Sequence, residues 1–278
     1  MASDPAFTVV IPTRDRPDPL ARCLAALERQ EDCPEFEIVV VDDGSSAEHE
    51  VAAAIAGSPR ARGARTAPSG SAPARNRGVH EARTGTILLL DDDCEPVPRW
   101  ASALLRTLEA GADVAAGRCV NSDSTDPYSE ATQTVLDFIT LQTRQPDGTV
   151  RFAPTYNLGC RREVLMKVPF DDSFRNSGAD REWCARLARD GYTIVLNDDA
   201  MIVHRQSLDL ARFWHKHRDY GQGSARFRHK EGLRLEPPGF YLGLLRAGFD
   251  KSPRVGLAVC LAQLATAVGS IEQTARRS

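Results

Sequence analysis

The chain has 278 residues, 42% hydrophobic and 26% charged, enough apolar material to bury a full core and too much for a disordered chain. Its 35 basic and 38 acidic residues leave a net charge of −3, which excludes a chain-wide attraction to nucleic acid and confines any binding surface to a local patch. The seven cysteines, at 23, 33, 94, 119, 160, 184 and 260, show neither zinc nor redox spacing and read as small buried residues in a reducing compartment. No basic-then-apolar segment precedes Phe7, so the expected location is the cytoplasm.

The apolar runs 7–11, 36–41 and 86–90 are short, rich in Val, Ile and Leu and without alternation, the pattern of parallel strands covered on both faces. Residues 17–30 carry Leu20, Cys23, Leu24 and Leu27 at helical spacing, and 47–56 is an Ala-rich helix with Val51 and Ile55. This alternation implies a right-handed parallel sheet. Residues 57–70 read as a loop with a short strand near 64–67. Beyond residue 91 the spacing predicts a helix over 98–110, a strand over 114–120 and a helix over 126–142, as the sheet becomes mixed. A helix over 177–190 stops at Gly191, short strands follow at 192–196 and 200–203, and the chain is helical from 208 with a break at 236–239. The apolar run 255–270 is interrupted by Gln263 and is shorter than the roughly 20 residues a membrane span needs.

Three strands end in polar clusters: Pro12-Thr13-Arg14, Asp42-Asp43-Gly44-Ser45 and Asp91-Asp92-Asp93. Ligands of open α/β sheets bind beyond the carboxyl ends of the strands, so these clusters converge on one cleft. Asp42 and Asp43 repel phosphate but accept hydrogen bonds from a base or ribose, although Asp-Gly-Ser is also ordinary turn chemistry. Three adjacent carboxylates repel one another unless a cation or donors compensate, and a divalent Mg²⁺ or Mn²⁺ shared with a nucleoside diphosphate suits Asp91–Asp93. Asp180, near the start of a helix, reads as a general base or as a cap. His204, ending an apolar strand, reads as a structural histidine, a third metal ligand or a diphosphate donor. The basic and aromatic segment 205–230 suits anionic lipid headgroups, a phosphate leaving group or a solvated face.

In order, Val-Val-Ile-Pro-Thr, Val-Val-Val-Asp-Asp-Gly-Ser, Ala-Arg-Asn-Arg-Gly and Leu-Asp-Asp-Asp, followed by Asn157-Leu158-Gly159-Cys160-Arg161-Arg162 and Asp180-Arg181-Glu182-Trp183, resemble the family 2 glycosyltransferases over about residues 7–205. The resemblance implies an α/β chain of GT-A fold: a Rossmann-like, mostly parallel central sheet flanked by helices, with a C-terminal helical extension. It divides into a catalytic domain 1–205, donor half about 1–120 and acceptor half about 121–205, and an extension 206–278. It implies an inverting transfer of sugar from a nucleotide sugar, a UDP-sugar being the common expectation, to an acceptor of unspecified kind: small molecule, glycan, peptide or lipid-linked.

By the same resemblance, Pro12, Thr13 and Arg14 line the nucleotide site, and Asp42 and Asp43 face the base. Arg75, Asn76 and Asn157 lie on the donor side. Asp93 is the direct metal ligand with His204 near it, and Asp91 and Asp92 face ribose or metal-bound water. Asp180 is the base. The cofactor is Mn²⁺ or Mg²⁺, and the partners left open are a peripheral membrane surface and a homodimer through the C-terminal helices. The family's usual Glu before the base is Ala179 here, which makes Glu182 a competitor; residues 180 and 182 point about 200° apart on a helix, so only one faces the sugar. A nucleotidyltransferase would want a glycine-rich phosphate loop, which Pro12-Thr13-Arg14-Asp15-Arg16 lacks. Asp93, Asp180 and His204 together speak against a non-catalytic sugar-binding protein.

Overall fold

Residues 4–174 and 177–276 are described by the computed structural model. Strands β1 (Phe7–Thr13), β2 (Phe36–Asp42), β3 (Ala61–Arg65) and β4 (Thr86–Leu90) are joined by helices α1 (Pro17–Leu27), α2 (Glu48–Ala56) and α3 (Ser71–Glu81) and lie parallel in the order β3-β2-β1-β4. Successive strand residues feed two different cores. Val10, Val39, Val41, Ile87 and Leu89 pack on the α3 side. Val9, Ile11, Ile38, Val40, Leu88 and Leu90 pack against Leu20 and Leu24 of α1 on the other. Because both faces are covered, both alternating sets must be apolar.

The sequence reading has no helix at α3, which holds Pro73 and Gly78 and no large apolar residue but Val79. It lies close on the sheet through small side chains: a Cβ at Gly78 would stand 2.2 Å from Val10 Cγ1.

The second half of the sheet contains β5 (Cys94–Pro96), β6 (Val114–Asn121), β7 (Thr149–Val150), β8 (Asn157–Arg161) and β9 (Ile194–His204). The intervening helices are α4 (Trp100–Glu109), α5 (Pro127–Leu141), α6 (Arg162–Lys167) and α7 (Ala179–Arg189). β8 enters antiparallel between β4 and β6, and β9 runs parallel to β6. The two short strands expected at 192–196 and 200–203 are one strand: its pairing with β6 jumps from Gly117↔Asn197 to Arg118↔Met201, so three residues bulge out without ending it. β5 and β7 pair antiparallel with β9.

A third core, including Ala131, Val135, Phe213, Leu244, Val259 and Ala262, joins α5 to α8 (Leu210–Glu231), α9 (Pro238–Lys251) and α10 (Pro253–Ala275). The break before α9 comes at 232–237, earlier than expected. The apolar run expected over 255–270 lies within a 23-residue helix, the one helix among the described residues long and apolar enough to cross a membrane; 39% of its most apolar window is buried in the protein. The basic and aromatic segment is exposed only in part, at Arg205, Arg212 and Lys230 among others. Phe213 and Phe227 are buried, Arg218 pairs with Glu272 at 2.8 Å, Lys230 with Asp171 and Glu182 at 2.6 Å each, and Arg226 donates to the Ser173 carbonyl. Exposed large apolar side chains on α9 and α10 include Leu242, Phe249, Leu257, Leu264 and Ile271, with others at Val120, Met166, Leu210, Leu233 and Leu235.

Asn157, expected on the donor side, is drawn into the sheet. It is 1% exposed, accepts from Trp100 Nε1 at 2.7 Å and donates to the carbonyls of Arg118 and Ala200 at 2.9 and 3.0 Å. Both its donors are used in joining β8 to β6 and β9, so its amide serves the fold. Replacing it by Ala would strand three buried polar groups. Asn157→Ala is therefore expected to lower the unfolding free energy by about 2–4 kcal/mol in urea denaturation, with the nucleotide affinity of the folded protein unchanged. Full stability with weakened nucleotide binding would return the residue to the donor side.

Candidate active site

The acidic triplet follows β4, where it cannot avoid burial, and each carboxylate is met by a partner from a different element. Asp91 Oδ1 takes Arg75 Nη2 at 2.6 Å. Asp92 accepts the Thr13 hydroxyl at 2.7 Å and Arg16 Nη1 at 2.8 Å. Asp93 Oδ2 lies 2.7 Å from Arg16 Nη2 and 3.0 Å from His204 Nε2. The last contact is made by strand pairing: β5 begins directly after Asp93 and is antiparallel to the end of β9, with Cys94 opposite His204. Burial alone would raise the Asp93 pKa, but His204 and Arg16 hold it well below the usual carboxylate range. Burial, helped by Asp93 and opposed by Arg16, raises that of Asp92.

Ligand atoms of Asp93, Cys94 and His204 lie within 4.8 Å of one another. Burial pushes the Cys94 thiol well up. His204 Nδ1 is buried without a hydrogen-bond partner among the described residues. His204 Nε2 and Asp93 Oδ2, 3.0 Å apart, form a mixed nitrogen and oxygen pair that fits a divalent cation.

At the ends of β1 and β2, Pro12 and Thr13 are buried, while Arg14 is exposed, its nearest ionic partner being its neighbour Asp15 at 3.8 Å. Arg16, two residues on, is the arginine that reaches the triplet. Asp42 accepts from Ser45 N at 2.8 Å and pairs with Arg65. Asp43 Oδ1 accepts from Ser69 N and Oγ at 2.7 and 2.9 Å, and Oδ2 from Gly70 N at 2.9 Å, so this carboxylate also shapes the loop that starts α3. Asn76 is drawn away from the cleft. Its amide exchanges hydrogen bonds with Phe170 N and O at 2.9 and 2.8 Å and reaches Asp172 at 2.9 Å.

Asp180 lies in the first turn of α7 without capping it; the helix is preceded by Gly178 at φ 90. A side chain at Gly178 would meet Gly223 O of α8 at 2.9 Å, so this glycine lets the start of α7 sit directly on α8. Asp180 is half-buried, accepts from Thr155 N at 3.4 Å, and shares a cavity of about 260 Å³ with Arg75 and Asp91. Burial raises its pKa, opposed by Arg75. Burial likewise disfavours charge on Arg75, but Asp91 and Asp180 raise its pKa. Glu182 is fully buried elsewhere, bidentate to Arg186 at 2.7 and 2.8 Å and 2.6 Å from Lys230. The helical phase thus separates the two acids, and Asp180 alone of them reaches the cavity.

Sequence reasoning missed Arg16, Cys94 and the cavity's lining from α9, Tyr241 among it, whereas Tyr220 and Arg228 lie in the basic and aromatic segment already singled out. Arg16 lies in the segment Pro12-Thr13-Arg14-Asp15-Arg16, also singled out; the α9 residues carry no local signal.

The sequence model of the family described as glycosyl transferase family 2 matches residues 8–168. Over 234 residues the chain is 28% identical to the pre-mycofactocin glycosyltransferase of Mycobacterium tuberculosis (strains CDC 1551 and H37Rv), covering 78% of this chain and 46% of the relative. The chain thus spans about half the length of the curated relatives it matches. Among solved structures, the mannosyltransferase PcManGT from Pyrobaculum calidifontis, in complex with GDP-Man and Mn²⁺, is similar at a TM-score of 0.62 and 19% identity, over 99% of this chain and 79% of that one. S. aureus TarS 1-349 in complex with UDP is similar at 0.57 and 17%, over 98% and 91%. The family match runs through more than half of the sequence, from β1 across the acidic triplet and β8, and the fold agrees along nearly all of it: this chain has the GT-A fold and belongs to glycosyl transferase family 2.

Proposed function

We propose that this chain is an inverting glycosyltransferase, moving a sugar from a nucleoside diphosphate sugar to an acceptor hydroxyl, with a divalent cation at Asp93 and His204 and Asp180 as general base. The observation that carries this reading is the cavity that Asp180, its pKa raised by burial, shares with Arg75 and with Asp91, which lies two residues along the chain from Asp93, the partner of His204. Pro12, Thr13, Asp42 and Asp43 form the nucleoside end. Asp43 Oδ1 accepts from Ser69 N and Oγ and, at 3.4 Å, from Thr66 Oγ1, while among the described residues Oδ2 accepts from Gly70 N alone, leaving room for one further donor. One N–H matches uracil better than the adjacent donors of guanine, which supports a UDP-sugar. TarS in complex with UDP is consistent with that donor, and the mannosyltransferase with GDP-Man and Mn²⁺ supports the metal.

Ionised Asp180 accepts the acceptor's hydroxyl proton as the oxygen attacks the anomeric carbon from the face opposite the diphosphate. The carbon–oxygen bond to the diphosphate breaks, the nucleoside diphosphate leaves with the electron pair, and the configuration inverts without a sugar–enzyme bond. A divalent cation held by Asp93 and His204 supplies positive charge to the diphosphate oxygens. Arg75, paired with Asp91 at 2.6 Å, also favours the ionised form of Asp180, and burial makes Asp180 a stronger base than a solvated aspartate.

Asp180→Asn is expected to lower kcat by about 10²–10⁴-fold with nucleotide affinity retained, whereas Glu182→Gln should cost stability and leave kcat nearly intact. Steady-state kinetics with nucleotide release as readout separates the two, and the reverse pattern would make Glu182 the base. Because the base must be ionised, activity should fall as pH drops through the Asp180 pKa. The midpoint of that acid limb should lie above the ordinary 3.8. A limb at or below that value would contradict the role.

A further inference from the structure

The cavity beside Asp180 extends well past the catalytic acids, into space that a sugar donor does not explain. Its far walls are Phe152, Tyr156, Tyr220, Phe240, Tyr241 and Leu244, contributed by the segment before β8 and by α8 and α9. The cavity, about 260 Å³, is on the scale of a small-molecule site rather than a groove for a long polymer. Aromatic faces enclosing it favour an apolar, ring-sized body.

Besides Arg75, Asp91 and Asp180, three further charged residues line the cavity: Arg181, Arg228 and, at its exposed rim, Glu236. Arg181 follows Asp180 on α7, and its guanidinium lies 5.9 Å from the centre of the Phe152 ring. Among the described residues its side chain has no hydrogen-bond or ion-pair partner. Arg228 has one long contact, Nη2 to Ser270 Oγ at 3.4 Å. Burial lowers the Arg181 pKa, with Arg228 acting in the same direction and Glu236, Tyr241 and Asp180 opposing. Arg181 is half-buried and its guanidinium, with no acidic side chain in contact among the described residues, is free to meet an anion brought by a ligand. The charged residues lining the cavity balance in number, Arg75, Arg181 and Arg228 against Asp91, Asp180 and Glu236. Arg75 is paired with Asp91 at 2.6 Å, while among the described residues no carboxylate touches Arg181, so a ligand carboxylate can pair with it.

We propose that the cavity takes a small acceptor with an apolar ring, a hydroxyl directed at Asp180 and a carboxylate seated against Arg181. The proposal rests on Asp180 being the transferase base. In the transfer the acceptor oxygen bonds to the anomeric carbon, its proton passes to Asp180 and the nucleoside diphosphate departs with the electron pair; the carboxylate is unchanged and only orients the acceptor.

A matched pair of probes tests this without turnover: 4-(hydroxymethyl)benzoate and its neutral amide, titrated into the full chain by calorimetry or ligand-observed NMR. The benzoate is expected to bind at least about tenfold more tightly than the amide, the ratio a charge-assisted hydrogen bond gives. Arg181→Gln should bring the ratio to near one, and Glu236→Gln, on an exposed loop and independent of the folding of α7, should increase it. Equal binding of the two probes, binding of neither, or a preference that survives Arg181→Gln overturns the proposal. UDP and GDP binding with Mn²⁺ is measured on the same samples. If nucleotides fail to bind while the acid preference holds, the transferase reading falls and the anion site stands; nucleotide binding without acid preference removes only the acceptor assignment.

Discussion

Three adjacent carboxylates at the buried end of β4 set the terms for the rest of the molecule. Left alone they would repel one another and lose their solvation together. The fold answers with a separate partner for each: Arg75 from α3 for Asp91, Thr13 and Arg16 from beyond β1 for Asp92, and His204 from the end of β9 for Asp93. Those partners come from segments far apart in sequence, so neutralising the triplet ties β1, α3, β4 and β9 to one point. Arg16, in contact with both Asp92 and Asp93, is the positive charge that balances the cluster in this conformation.

The C-terminal helices take part in the site and are not an appendage to it. Gly178 lets the start of α7 rest on Gly223 of α8, which holds Asp180 at its position in the cavity, and α8 and α9 supply the cavity's far walls. α10 packs behind them, through Val259, Ala262 and Ala265. The ends of the central strands and the C-terminal helices thus meet at α7, where Asp180 lines the cavity.

Much of the donor half was legible because its signals are local. Uninterrupted Val and Ile runs marked β1, β2 and β4, and the polar residues at their ends marked the cleft. Where the signal was long-range, the reading fell short. Helix α3 packs by small residues around Gly78, so it carries no apolar stripe. The three-residue strand β5 is too short to show a period, yet its pairing with β9 is what joins Asp93 to His204. Asn157 and Asn76 belong to motifs that point to the donor, but their amides are taken up by Trp100, Arg118, Ala200 and Phe170, contacts invisible in sequence. For Asp180 and Glu182 the helical phase alone stated that one must turn away; the partners Arg186 and Lys230 decide which. Basic and aromatic residues on α8 read as a surface because composition does not reveal that Asp171, Glu182 and Glu272 are waiting to pair with them.

The central claim is that the triplet and His204 form a metal-dependent nucleotide site. Its most direct test is isothermal titration of UDP and GDP into the protein with and without Mn²⁺, using wild type, Asp93→Ala and His204→Ala. The account predicts binding of one nucleotide that requires Mn²⁺ in the wild type and is lost or weakened by at least about tenfold in both variants. Binding that is indifferent to the metal and to both substitutions, or no binding of either nucleotide, would contradict it.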